Sequence, residues 1–274
     1  MRGGRVRGGR VRAALAVVLA VVAAGCGGSP GGDGQAQPAD GRPLALVYRG
    51  PAACEGCPEA ARTMLEHGGF AVRYVGPRER LRFGPSALAG VALYVQPGGS
   101  NGQEVSTAWE LLGRESGFSP ELVRAYVRGG GRYLGLCMGG YLAGDPGFDL
   151  LPGDSGQYVR SPGASVSDER DRLVDVLWRG RPQRMYFQDG PYFDVDGPGT
   201  QVLARYPGGR PAVVVAPYGA GRVAVSGPHP EAPGDWYRDY GLPDESEAGL
   251  ALGEDLLRTL TGEAAPGAAP APSP

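Results

Sequence analysis

Along this chain, short apolar runs alternate with amphipathic stretches in the order that builds a parallel sheet. Leu44–Tyr48 is an unbroken apolar run closed by Arg49-Gly-Pro, as expected of a strand covered on both faces. Positions 59–67 then read as a helix, with Pro58 in its first turn and Gly68-Gly69 at its end. A second strand is expected at 70–75, a third at 91–95 running into Gln96-Pro-Gly-Gly-Ser100, and a helix at 104–112. Ser119-Pro120-Glu121 combines a cap, a proline at the first helical position and an acid against the dipole. Leu122, Val123, Tyr126 and Val127 give the helix that follows one apolar face, and the glycines at 129–131 stop it. A fourth strand, Arg132–Leu136, comes next. The alternation predicts an α/β fold with a doubly wound, mostly parallel sheet and helices on both faces.

The second half is richer in β pattern. Extended runs are expected at 173–177, 184–187, 201–206, 211–216 and 222–226, with Tyr218-Gly-Ala-Gly221 turning the last two into a hairpin. Asp244-Glu-Ser-Glu247 opens a final helix that places Leu252, Leu256 and Leu260 on one face.

The chemistry concentrates where the fourth strand stops. Gly135-Leu-Cys-Met-Gly139 puts Cys137 on a sharp strand-to-helix turn, the thiol form of a nucleophile elbow. Gly135 and Gly139 allow strand and helix to approach closely, and the first helical turn points backbone N–H groups at the sulfur. A thiol nucleophile needs a base, and the base an orienting carboxylate. The chain has only two histidines. One stands in Gly227-Pro-His-Pro-Glu231, so Cys137, His229 and Glu231 supply all three groups. The other, His67, ends a helix, where a cation suits the dipole.

The ends of the chain carry an address. Residues 1–26 have a basic start (Arg2, Arg5, Arg7, Arg10, Arg12) and an apolar core from 13 to 24 too short for an ordinary span. Ala23-Ala24-Gly25-Cys26 resembles a bacterial lipobox, with Cys26 as the lipidated first residue of an exported protein held on the cell membrane. A flexible linker at 27–42 and a disordered Ala/Pro tail at 262–274 bracket an α/β domain at 43–261. Lys and Ile are absent while Gly (49) and Pro (26) are abundant, a bias that a GC-rich genome explains better than disorder does. Without residues 1–26, the balance is 22 basic to 29 acidic residues, a net charge of −7, which argues against nucleic acid as a partner.

These motifs, with Pro97-Gly-Gly99 after the third strand and Gly190-Pro-Tyr-Phe193, resemble the class I glutamine amidotransferase-like superfamily over roughly residues 43–260. Within it the chain is similar to the biotin-protein ligase N-terminal domain group. The resemblance implies a flavodoxin-like sheet with Cys137 as nucleophile, His229 as base and Glu231 as orienter. It also implies an oxyanion hole from the N–H groups of Met138 and of Gly98 or Gly99. Asp189, Tyr192 and Phe193 are expected to line the substrate crevice at the carboxyl ends of the strands. The chain departs from true glutaminase domains in having Gly140-Tyr141 after the elbow and no synthase segment, which points away from amidotransfer proper.

Cys54-Glu-Gly-Cys57 reads as a small structural disulfide of an exported protein or as a redox pair at a helix start. No metal or cofactor signature is present: a zinc site from Cys54, Cys57, Cys137 and His229 lacks a second spaced pair. Three readings are open. They are a cysteine hydrolase acting on an amide or other acyl bond of a small molecule or peptide, a catalytically silent ligand-binding lipoprotein, and a thiol–disulfide protein.

Overall fold

The computed structural model describes residues 40–100 and 102–262. The leader at 1–26 with Cys26, the linker at 27–39 and the tail from 263 onward lie outside the described residues. Among the described residues, no helix is long and apolar enough to cross a membrane.

The first half follows the expected alternation: β1 (Leu44–Tyr48), α1 (Cys57–His67), β2 (Ala71–Val75), β3 (Leu93–Gln96), α2 (Val105–Gly113), α3 (Pro120–Arg128), β4 (Arg132–Leu136) and the short α4 (Met138–Leu142). The second half holds β5 (Gly153–Gln157), β6 (Arg172–Trp178), β7 (Arg181–Phe187), β8 (Pro191–Val195), β9 (Gln201–Arg205), β10 (Pro211–Tyr218), β11 (Gly221–Ser226), α5 (Gly234–Asp239) and α6 (Ser246–Thr261). Nine strands form one sheet in the order β2-β1-β3-β4-β11-β10-β9-β6-β7. The first five pair in parallel, and from β11 outward every pairing is antiparallel.

Both faces of the parallel part are covered, which is why β1 is apolar throughout. Leu44, Leu46 and Tyr48 pack into the core shared with Ala108, Leu112, Val123 and Val127 of α2 and α3. Ala45 and Val47 point to the opposite core, with Met64 and Leu65 of α1 and Leu256 and Leu260 of α6. The α6 stripe is rotated from the expected one: Leu252 is half-buried and Leu257 is buried instead. Gly249 and Gly253 bring α6 close to Pro230, so this helix backs the turn that carries His229 and Glu231.

Several local expectations are corrected. Ser119 occupies the N-cap position of α3, but its side chain makes no capping bond, and Pro120 and Glu121 are left to start the helix. Helix α1 begins at Cys57, two residues ahead of the expected start. The small β5–β8 sheet was not expected, because the β5 sequence Gly-Asp-Ser-Gly-Gln has no apolar residue to show a pattern. Gly262, placed in the tail from sequence, is the left-handed cap of α6 (φ 83°).

Candidate active site

Leu136 of β4 lies opposite Ser226 of β11 in a parallel pair, so the residues after both strands emerge together at the carboxyl edge of the sheet. Cys137 is the next residue on one side, and 227–231 is the turn on the other. Cys137 has φ 50° and ψ −105°, a conformation that residues with a Cβ rarely adopt and that clusters at functional positions. Its N–H donates to the Ser226 carbonyl (2.8 Å), and its own carbonyl accepts from the N–H groups of Gly140 (2.8 Å) and Tyr141 (3.1 Å). The buried thiol faces the carbonyl of Gln188 at 3.5 Å.

His229 is held on three sides. Its N–H donates to the Tyr186 carbonyl (2.8 Å), and its ring stands edge-on to Tyr186 and Trp236 at 5.9 and 5.5 Å between centroids. Nδ1 lies 2.9 Å from Glu231 Oε1. A carboxylate only accepts, so Nδ1 carries the proton and Nε2 is the nitrogen left to serve the thiol. Burial by itself pulls the imidazole toward neutrality, but the charges of Glu231 and Cys137 outweigh it and push its pKa up to about 10. Glu231 is buried as well, and its Oε2 has no hydrogen-bond partner among the described residues. The Glu231 charge is therefore matched by the imidazolium.

Cys54 and Cys57 are joined in a disulfide, which takes both thiols of the pair. A disulfide closing so short a loop contributes roughly 2 kcal/mol in the chain-entropy picture. Here it also positions the site. The Cys54 N–H donates to the Gly98 carbonyl (2.9 Å), and because that peptide is planar and trans, the Gly99 N–H points away from the disulfide loop. A methyl group on Gly98 would stand 3.1 Å from Cys57 Sγ, 3.3 Å from His229 Cε1 and 3.8 Å from Cys137 Cβ. Thiol, imidazole and disulfide thus converge on one glycine. Gly99 is pressed against Met138, where a methyl would come within 2.9 Å of its Cβ.

Two clefts flank this point. One, of about 290 Å³, ends at Cys137 and Met138 and is walled by Gly99, Tyr141, Gln188 and Asp189. The other, of about 260 Å³, reaches His229 and the disulfide between Tyr186, Trp236 and Tyr240. Asp189 accepts from Gln157 Nε2 (2.8 Å), while its carbonyl accepts from the Tyr141 hydroxyl (3.1 Å). Burial first, and then Glu169 and Glu104, raise the Asp189 carboxyl above its ordinary range against the pull of the Gln157 bond.

Of the residues expected in the crevice, only Asp189 lines it. Phe193 is fully buried in the core and meets Gly140, and Tyr192 stacks under the Arg210 guanidinium at 3.9 Å. The reason is the alternation of β8, which sends Phe193 to one face and Tyr192 to the other. Sequence reasoning missed Tyr186 at the end of β7, Gln188 just after it and Trp236 in the short helix α5, none of which has a motif of its own. It also missed Glu104 and Glu169, which reach the cleft from separate loops.

Residues 45–147 match the family model described as biotin-protein ligase, N terminal. No curated protein sequence matches the chain. Among solved structures, the chain is similar to a glutamine amidotransferase at 19% identity and TM-score 0.53, over 80% of this chain and 98% of that one. It is also similar to PurLQS from Thermotoga maritima at 21% identity and TM-score 0.54, over 80% and 99%. The protein therefore has a glutamine amidotransferase-like fold, within which residues 45–147 are similar to the biotin-protein ligase N-terminal family model.

Proposed function

We propose that the protein is a cysteine hydrolase or acyltransferase acting on an amide-type bond, with Cys137, His229 and Glu231 as its triad. The observation that carries this reading is the pairing of a thiol on a strained elbow with a buried, carboxylate-held imidazole in the turn that follows the neighbouring strand. In the first step the Cys137 sulfur, its proton already held on His229 Nε2 as the imidazolium, attacks the carbonyl carbon as a thiolate. The N–H groups of Met138 and Gly99 receive the developing oxyanion. His229 then returns the proton to the departing nitrogen as the C–N bond breaks, leaving a thioester. Water, deprotonated by the same imidazole, releases the acid and restores the thiol.

Iodoacetamide tests the triad. Near pH 7, Cys137 is expected to react at least about tenfold faster than a free cysteine, and His229→Ala to remove that advantage. A slow reaction unchanged by His229→Ala would sink the triad and leave the cleft as a ligand-binding site on this fold.

We also propose that the domain is exported and held on the membrane through a lipid on Cys26. The leader pattern supports this, and the Cys54–Cys57 disulfide suits an oxidising compartment. On fractionation, the wild type should follow the membranes and Cys26→Ala the soluble phase. Equal partitioning of the two would refute the anchor.

A further inference from the structure

The cleft that ends at Cys137 has walls of a single charge. Glu104, Glu169 and Asp189 line it, and among the described residues no arginine does. Arg160 acts on Asp189 from outside the lining, and its Nε is engaged by the Ser167 carbonyl at 2.8 Å. The His229 imidazolium lies beyond the thiol, in the other cleft, and is matched by Glu231. A negative field is therefore built into the cavity that the nucleophile faces.

The second cleft repeats the sign with different walls. Asp171, Asp239 and Glu55 stand there with Tyr186, Trp236 and the exposed Tyr240, a mix of carboxylates and ring faces that suits ammonium and guanidinium groups. The chemistry tells the two clefts apart. The acyl group stays on Cys137, so its remainder occupies the first cleft. His229 protonates the departing amine, so the leaving group occupies the second.

We propose that the substrate is a cationic amide, with an ammonium or guanidinium group on the acyl side of the scissile bond and no carboxylate there. This rests on Cys137 being the nucleophile. It sets the protein apart from enzymes of free glutamine, whose α-carboxylate would meet three carboxylates and, among the described lining residues, no cation. The carboxylates would select the substrate and hold it with its carbonyl over Cys137.

Small thiol reagents of matched size and opposite charge test the proposal in the full chain, with modification read at the Cys137 peptide by mass spectrometry. The probes are aminoethyl, sulfonatoethyl and methyl methanethiosulfonate, each normalised to its rate with mercaptoethanol. The cationic reagent is expected to outpace the anionic one by at least about tenfold at low salt. The double variant Glu104→Gln with Glu169→Gln should cut that ratio by more than half, as should raised salt, because both glutamates are exposed. A ratio near one, or one favouring the anionic reagent, would overturn the proposal. So would a ratio that the double variant leaves unchanged. The neutral reagent reports thiol activation separately: if it reacts slowly while the charge preference persists, the triad fails and the cationic selectivity of the cleft stands.

Discussion

Replacing Glu231 by Gln is expected to slow alkylation of Cys137 by about a hundredfold near pH 7, with little change in the shape of the site. Gln keeps an oxygen able to accept from His229 Nδ1 over the same 2.9 Å, so the ring keeps its orientation. The negative charge is lost. Burial is the largest influence on His229, and the wild type overcomes it first through Glu231. Without that carboxylate the imidazole falls toward neutrality, and the thiol loses the cation beside it. The same change is readable in stability. In the wild type the folded imidazole titrates at about 10 against 6.5 for an ordinary histidine, so the folded state binds the proton more tightly than the unfolded one. The stabilisation is complete below pH 6.5 and is lost as pH rises toward 10. Denaturant unfolding across that window should show a falling limb in the wild type that Glu231→Gln removes. An identical limb in both proteins would mean that Glu231 does not hold the proton on His229.

The parallel half of the fold was legible because its signals are local. An apolar run such as Leu44–Tyr48 can be satisfied only between two layers, and Pro120 with Glu121 marks a helix start wherever it occurs. The elbow was legible for the same reason: Gly135-Leu-Cys-Met-Gly139 states in five residues that strand and helix must touch. The partnership of Cys137 with His229, far apart in sequence, could be read only because histidine is so scarce in this chain. What sequence could not supply was the outer wall of the site. Gln188 contributes a backbone carbonyl, which any residue carries, and Glu104 and Glu169 come from two loops that only the finished sheet brings to one cleft. Tyr192 and Phe193 were expected in the crevice only through the family resemblance, which did not show that they lie on β8, where alternation sends Phe193 into the core and Tyr192 to the other face. The role of the Cys54–Cys57 loop in orienting the Gly98–Gly99 peptide belongs to this class too, since the bond from Cys54 to Gly98 crosses between elements.

A methyl group at position 139 is expected to cost about 3 kcal/mol of stability or more and to lower Cys137 reactivity in the same protein. Gly139 does not have a left-handed backbone, so the requirement is space. An added Cβ would fall 1.9 Å from the Gln96 carbonyl oxygen and 2.8 Å from its carbon, both backbone atoms of β3 that no rotamer change can move. Retreat in the other direction is closed by β4, because Gly139 O already lies 2.2 Å from where a Gly135 Cβ would be and accepts the buried Tyr133 hydroxyl at 2.7 Å. In Gly139→Ala the only relief is to lift α4 from the sheet, and α4 begins one residue after Cys137. Gly113→Ala is the matched control, since its Cβ would meet nothing within 4 Å; its stability should be unchanged or raised by about 0.5 kcal/mol through helix propensity. Urea unfolding and iodoacetamide alkylation on the two variants separate packing from chemistry. If Gly139→Ala matches the wild type in both, the elbow is not held by contact of β3, β4 and α4. Loss of stability and thiol reactivity together would show that the packing which fixes Gly139 is also what presents Cys137.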